Sequence, residues 1–325
     1  MRFFKKTSID FMGRRYMWYA ISATVILVGM LSLAVKGFHF GIDFLGGTEL
    51  IIEFNGPADI GKVRSMMDNA GFPKSEIKGF GSPNKILLRT LLQGEGTTVG
   101  DRIKTALQQT FPDMNPHVLS EQKIGPKVGK ELRTNALYAV LSSLIAMSLY
   151  VAFRFKFIFG VGALVALFHD VLVVLGCISI FDGLTSFTNF EIDQNMIAAF
   201  LTVVGLSMND TVVIFDRIRE NQKIYRTMSL IDLINKSLNE TLSRTIITSG
   251  TVLIITLILF FFGGEVNRGF AFALSIGITT GTYSSIYIAS AIVLDYTRRL
   301  QAKRGTVGGT AVADKVKYEP VSQRS

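Results

Sequence analysis

Cysteine is all but missing. Cys177 is the only thiol in 325 residues, so no disulfide can form within the chain. It lies in the middle of an apolar run and reads as a small apolar filler. Histidine is scarce too. His39, His117 and His169 are the whole supply, and no metal-ligand spacing joins them. A Gly-x-x-x-x-Gly-Lys-Ser/Thr loop is absent, which excludes ATP binding by that route. Charge is thin: Asp, Glu, Lys and Arg make up 18% of the chain, where a soluble domain carries about a quarter.

What fills the chain instead is apolar. Hydrophobic residues reach 49%, with 25 Phe. They gather into runs close to the ~20 residues that cross a bilayer. We read six spans, near residues 17–35, 136–153, 158–181, 195–215, 245–263 and 270–294. The first follows Arg2, Lys5, Lys6, Arg14 and Arg15. A basic start before an apolar run also suits a signal peptide. This run is longer than a usual signal core and has no Ala-x-Ala before Lys36, so an uncleaved first span is expected.

A net charge of +9 raises the question of nucleic acid. The cations, however, sit beside the spans, as the positive-inside rule requires. Arg154 and Lys156 follow the second span. Arg217, Arg219, Lys223, Arg226, Lys236 and Arg244 follow the fourth, and Arg298, Arg299, Lys303 and Arg304 the sixth. Segment 182–194 holds Asp182, Glu191 and Asp193 and neither Lys nor Arg. The asymmetry predicts a multi-pass protein of the cytoplasmic (inner) membrane. Both termini, 1–16 and 296–325, would lie in the cytoplasm, and residues 36–134 outside it.

Residues 36–134 read as a small folded domain. Thr48–Phe54 has strand character. Asn55-Gly56-Pro57 turns into a helix lined by Ile60, Val63, Met66, Met67 and Ala70. Two short strands follow, near 75–80 and 85–90. Thr98-x-x-Asp101 resembles a capping box before a second helix, and 117–123 reads as a last strand. The order βαββαβ predicts a ferredoxin-like α+β fold. Phe38, Phe40 and Phe80 read as core residues. Residues 135–295 form the five-helix remainder of the membrane region. Its loop, 216–244, is expected to be a helix along the membrane surface, with Ile224, Met228, Ile231, Ile234 and Leu238 on its apolar side. The tail from about Gln301 reads as disordered.

Three polar features interrupt the spans. Asn209-Asp210 lies within GLSMNDTVVIFDRIRE, residues 205–220. Asp210 falls about 7 Å from the centre of its span, where a carboxylate costs about 2.5–3.5 kcal/mol. It could merely join helices by hydrogen bonds, but an ionisable residue at such depth is first a functional candidate. His169-Asp170 is the second feature. As helix neighbours they point about 100° apart, so both cannot face one partner. Histidine suits a proton relay; a structural hydrogen bond accounts for the pair equally well. Arg244 is the third, at the entry to the fifth span. An Arg244–Asp210 pair fits their depth, provided the fifth helix starts well before Arg244, near Leu238, because helical side chains lean N-terminally. Alone, Arg244 reads as an anchor at the membrane edge. Thr248-Ser249-Gly250 and Gly277 to Gly281 read as packing faces.

Four motifs in this order resemble the SecD/SecF family of protein-export membrane proteins, on its SecF branch. They are FGIDFLGGTEL (40–50), ALFHD (166–170), GLSMNDTVVIFDRIRE (205–220) and RTIITSG (244–250). Leu45 and Leu206 depart from the family's usual Thr and Tyr, and neither is ionisable. The resemblance implies an RND-like transmembrane half in complex with SecD. It implies association with the SecYEG channel, with YajC and YidC as further partners, and contact with lipid and unfolded preprotein. It also implies a proton or sodium motive force that drives preprotein release, with no enzymatic step and no cofactor beyond the transported H⁺ or Na⁺. By motif match Asp210 and Arg244 take the ion path, SecD supplying a matching acid. Ser207, Asn209, Thr248, His169 and Asp170 are candidates for relay or helix coupling. Two rivals remain: an RND-type ion-coupled small-molecule exporter, for which one small outer domain is meagre, and a passive scaffold subunit.

Overall fold

The computed structural model describes residues 7–73, 75–91, 98–155, 157–185, 188 and 190–305. A single 3-10 turn (Met12–Arg14) leads into α1 (Arg15–Lys36), the first span. A short helix, α2 (Ile42–Leu45), then turns into β1 (Gly47–Glu53). Gly46 and Gly47 make that turn at φ of 74° and 137°. A Cβ on Gly47 would also stand 2.5 Å from the Thr90 carbonyl oxygen. Glycine alone meets both demands.

The small domain continues with α3 (Ile60–Asn69), β2 (Glu76–Phe80), β3 (Ser82–Thr90), α4 (Thr98–Thr110) and β4 (His117–Ile124). The strands stand in the order β2-β3-β1-β4, each antiparallel to its neighbour. This is the ferredoxin-like arrangement that the element order predicted. Alternation decides which face does what. Leu50, Ile52, Ile86 and Leu88 face Val63 and Met67 of α3 and Ile103 and Leu107 of α4, and all are buried. The other face, carrying Glu49, Ile51, Lys78, Leu87 and Arg89, lies over one end of the helical bundle and lines a cavity of about 320 Å³.

The bundle is built from α5 (Pro126–Arg154), α6 (Phe157–Phe181), α7 (Gln194–Ile224) and α8 (Leu230–Phe262), followed by a last interrupted helix. That helix is α9 (Gly264–Ser284), a π turn (Ser285–Ala289) and α10 (Ser290–Gly305). With α1, six helices among the described residues are long and apolar enough to cross a membrane. The apolar windows of α6, α7 and the last helix are 50%, 50% and 67% buried, against 11% for α1, α5 and α8. Three helices therefore form a central core, and three form a rim with apolar surface left for lipid. Where helices cross closely, glycine makes room. A Cβ on Gly29 of α1 would come 2.4 Å from Gly176 Cα of α6, and one on Gly277 of α9 would come 2.1 Å from Val203 of α7.

Several expectations are corrected. Residues 216–244 are not a helix along a surface. α7 runs on to Ile224, Tyr225–Ser229 turns, and α8 starts at Leu230, so the segment is the tip of an antiparallel hairpin. Ile218, Leu233, Ile234 and Leu238 are buried, while Arg217 pairs with Glu240 at 2.6 Å and Asn221 donates to Ser237 at 2.9 Å. The apolar stripe seeks the partner helix rather than lipid, and Ile224 is left exposed. α5 begins at Pro126 rather than near 136, because Gly129 packs against Phe44 and Gly46 beneath the small domain. Helix continues to Gly305 where a disordered tail was expected, and 306–325 lie outside the described residues. Phe38 is exposed rather than core, and Phe40 lies against the Arg133 guanidinium.

Domain and bundle meet through ion pairs. Arg89 reaches Glu191 at 2.7 Å and Glu76 at 3.1 Å, and its Nη2 also pairs with Glu49. Lys78 reaches Glu191 at 3.0 Å. Burial alone would raise the Glu191 carboxyl, but the hydrogen bond and charge of Arg89, with Lys78, hold it below its usual range. Glu191 precedes the N-terminus of α7, where the Met196 N–H donates to Asp193 at 2.7 Å and the Gln194 N–H to Asp43 at 2.9 Å. Such carboxylates suit the positive end of a helix.

Asp193 sets a pH dependence. Burial above all, with Asp43 and Glu191 nearby, pushes it up to about 6 against the Met196 N–H. The folded chain thus holds this proton more tightly than the unfolded one, and stability falls as pH rises from about 4 to 6. Asp193→Asn is neutral throughout and caps as well. It should be flat across that window and, above it, more stable than the native chain by about 1–2 kcal/mol. Thermal unfolding in detergent across the window measures this; parallel profiles for the two proteins would contradict it.

Candidate functional site

α7 carries three polar residues into the bundle, and each meets a different helix. Ser207 donates to Asp170 Oδ2 on α6. Asp210 Oδ2 accepts from Ser249 Oγ on α8 at 2.8 Å. Thr211 shares a hydrogen bond with Ser285 Oγ of the π turn at 2.8 Å. Positions 207, 210 and 211 lie within one turn and a face of about 100°. So a single stretch of helix gathers the polar groups of three neighbours.

Asp170 is the more enclosed acid, at 1% exposure. Oδ1 lies 3.0 Å from His169 Nδ1, and Oδ2 accepts from Ser284 at 3.0 Å as well as from Ser207. His169 Nε2 in turn lies 3.1 Å from the Tyr283 hydroxyl, which meets Ser22 of α1 at 3.4 Å. The network assigns the tautomer. With a carboxylate on Nδ1, that nitrogen carries the proton, so Nε2 accepts from Tyr283 and Ser22 donates to the tyrosine. Trp18 stacks on the Tyr283 ring at 5.5 Å and screens it. His169 and Asp170 thus contact each other as well as different partners. The 100° separation accounts for the different partners, and the two side chains also bend toward each other.

Asp210 is held more loosely. It is 8% exposed, and Ser249 is its hydrogen-bond partner among the described residues. Arg244 does not close an ion pair with it within 4.0 Å; the guanidinium is exposed, though its charge acts on the carboxylate. α8 begins fourteen residues before Arg244 (244 − 230 = 14), which meets the sequence condition on helix length, yet it is Ser249 that touches the acid. Asn209 and Thr248 are exposed beside it, Thr248 Oγ1 bonding back to Arg244 O at 3.0 Å. Thr202 of α7 and Thr251 of α8 are exposed as well. A Cβ on Gly205 or Gly250 would meet nothing within 4 Å.

Ser249, read from the sequence as part of a packing face, is therefore the residue that meets Asp210. Tyr283, Ser284, Ser285 and Thr211 were not singled out at all. A signal existed: six hydroxyl residues lie between Thr279 and Ser285 in an otherwise apolar segment. The packing that sets Ser284 against α6 and Ser285 against α7 leaves no mark in composition.

Comparison with known proteins follows from this geometry. Residues 102–299 match the family described as protein export membrane protein SecD/SecF, C-terminal, and residues 31–58 match the SecD/SecF GG motif. Protein translocase subunit SecF of Rhodothermus marinus is 43% identical over 304 residues, covering 94% of this chain and 98% of the relative. The Escherichia coli O157:H7 subunit is 37% identical over 288 residues, 88% of this chain and 87% of the relative. Among solved structures, a Thermus SecDF, a translocon-associated membrane protein, superposes at a TM-score of 0.79 with 37% identity. It matches 90% of this chain, which spans 39% of that longer polypeptide.

The two acids should answer substitution differently. Asp170→Asn replaces an acceptor by an amide donor facing three donors, and should cost about 2–4 kcal/mol. Tyr283→Phe removes one donor to His169 and should cost about 1–2 kcal/mol. Asp210→Asn, with one partner and an open side, should fall within about 1 kcal/mol of the native chain. Thermal unfolding in detergent ranks the three, and an Asp210 variant less stable than the Asp170 variant would overturn the order.

Proposed function

This chain belongs to the SecD/SecF family of protein-export membrane proteins, and we propose that it is the SecF subunit of a Sec translocase, coupling an ion gradient to protein export. In this reading it sits in the cytoplasmic membrane with SecD, next to the SecYEG channel. A proton or sodium ion is taken up at Asp210, and the β-sheet domain acts on preprotein at the outer face. The relatives are named as translocase subunits, and no catalytic step is assigned.

One observation carries the reading: a buried carboxylate lies beside exposed polar residues, Asn209 next to it on α7 and Arg244 on α8, within helices that are long and apolar enough to span a bilayer. Facing lipid, Asn209, Arg244 and the edge of Asp210 would be expensive. Covered by a second membrane subunit, they become a site between two proteins. SecD is the natural cover, since the similar Thermus polypeptide is named SecDF. The contact to Ser249 supports exchange. A hydroxyl can donate to the ionised acid or accept from the protonated one, so the proton can come and go without an ion pair being broken. Arg244 is a cation whose charge reaches the acid without touching it.

Magnitudes set the stoichiometry. One charge crossing 100 mV supplies about 2.3 kcal/mol, while a switch driven from 1:99 to 99:1 needs about 5.5 kcal/mol. More than one ion per cycle is expected. Asp210→Asn should abolish gradient-driven export in inverted vesicles while the subunit still co-purifies with SecD. Export that keeps its full response to imposed pH and sodium gradients in that variant would overturn the proposal.

A further inference from the structure

α8 carries a hydroxyl every fourth residue, at Ser237, Thr241, Thr245 and Ser249. That spacing sets all four on one face. Ser237, Thr241 and Thr245 are 0%, 8% and 2% exposed. They lie against α7, whose register is fixed at both ends: Asp210 meets Ser249 at 2.8 Å and Asn221 meets Ser237 at 2.9 Å. The row covers about 18 Å of helix. Its far end is wet, for Asn221 also donates to Glu240 at 2.8 Å and Glu240 pairs with Arg217, both part-exposed.

Two buried side-chain oxygens on this line have no hydrogen-bond partner among the described residues. Ser237 and Thr241 bond back to carbonyls one turn earlier, at 2.8 and 3.0 Å. Thr245 does not; its Oγ1 is buried without a hydrogen bond, and so is Oδ1 of Asn221. Buried oxygens of this kind are rare and call for water or an ion. Here they stand one turn from Ser249 and beside Ser237, between the acid and its polar exit. The facing residues of α7, Ile214 and Ile218, offer them nothing.

We propose that this face of α8, with Asn221, is the passage between Asp210 and the membrane face opposite the sheet domain, lined by Ser249, Thr245, Thr241 and Ser237, with Glu240 at its mouth. It carries a proton along water or a small monovalent cation, and the unpartnered oxygens of Thr245 and Asn221 are its binding steps. The proposal rests on Asp210 as the ion site.

The test uses the chain assembled with SecD in inverted vesicles, in a Cys177→Ser background. Single variants Thr241→Cys, Thr245→Cys and Leu253→Cys are treated with aminoethyl methanethiosulfonate from the face opposite the sheet domain. Leu253 continues the row past Ser249 and serves as the dry control. Cysteines at 241 and 245 should react several-fold faster than the one at 253. Equal or slower reaction at 245 would overturn the passage, whatever Asp210 does. Thr245→Val should slow gradient-driven export several-fold and Thr245→Ser restore it, with SecD co-purification checking assembly. An unaffected valine variant would also overturn it. Failure of the underlying reading shows separately, as an Asp210→Asn variant that still exports in response to the gradient.

Discussion

A carboxylate inside a bundle that borders lipid has to be surrounded by donors, and Asp170 is. Three side chains from α6, α7 and α9 donate to it. Because two of those helices cannot leave without stranding a buried charge, the central trio behaves as one body. Gly277 and Gly281 make the arrangement reachable: a Cβ at 281 would stand 2.9 Å from Ser207 Cβ, so a larger residue would push Ser207 off the acid. Ser284, the last residue of α9, faces Asp170, while Ser285, the first of the π turn, faces Thr211; the roughly 100° between consecutive helical residues points them at different helices.

Against that frame the second acid stands out by how little holds it. Asp170 and Asp210 have the same chemistry and sit within reach of the same helix, α7. One is saturated with donors and walled in; the other has one hydroxyl, a cation a step away and an open flank. Environments that differ this far suit different roles: the saturated acid ties three helices together, and the other has a single contact to lose. This supports placing ion exchange at Asp210 and structural coupling at Asp170.

How much of this could be read beforehand follows from what each signal depends on. Strand alternation and helix punctuation are local, so the sheet domain's order was legible from Thr48 to Lys123. Asp210 announced itself because a charge in an apolar run is conspicuous whatever packs on it. Ser249 did not, since a serine in RTIITSG has the same composition whether it packs or donates. The same holds for Tyr283 to Ser285. The hairpin tip failed for another reason. Ile231, Ile234 and Leu238 have the period of a surface-lying helix, and only the complementary stripe on α7, with Ile218, decides that they pair with it instead. Amphipathicity names a buried face but not what buries it.

Transmission to the sheet domain turns on one element. α7 carries Asp210 at about 24 Å from its N-terminus, counting 1.5 Å per residue, and Glu191 lies just before that end in ion pairs with Arg89 and Lys78. A helix pinned at its middle by Ser207 and Thr211 cannot simply slide. A tilt about those contacts would leave Asp210, which lies between them, almost in place while carrying the Glu191 end against the sheet. Arg89 at that junction is buried and shared among Glu49, Glu76 and Glu191, so a tilt can trade one carboxylate for another without stranding the cation, whereas separating α7 from Asp170 would strand a buried charge. The compliant joint therefore lies at the domain boundary rather than in the bundle core. A charge change at Asp210 worked through that lever would displace the sheet domain before it disturbed the packing of the central helices.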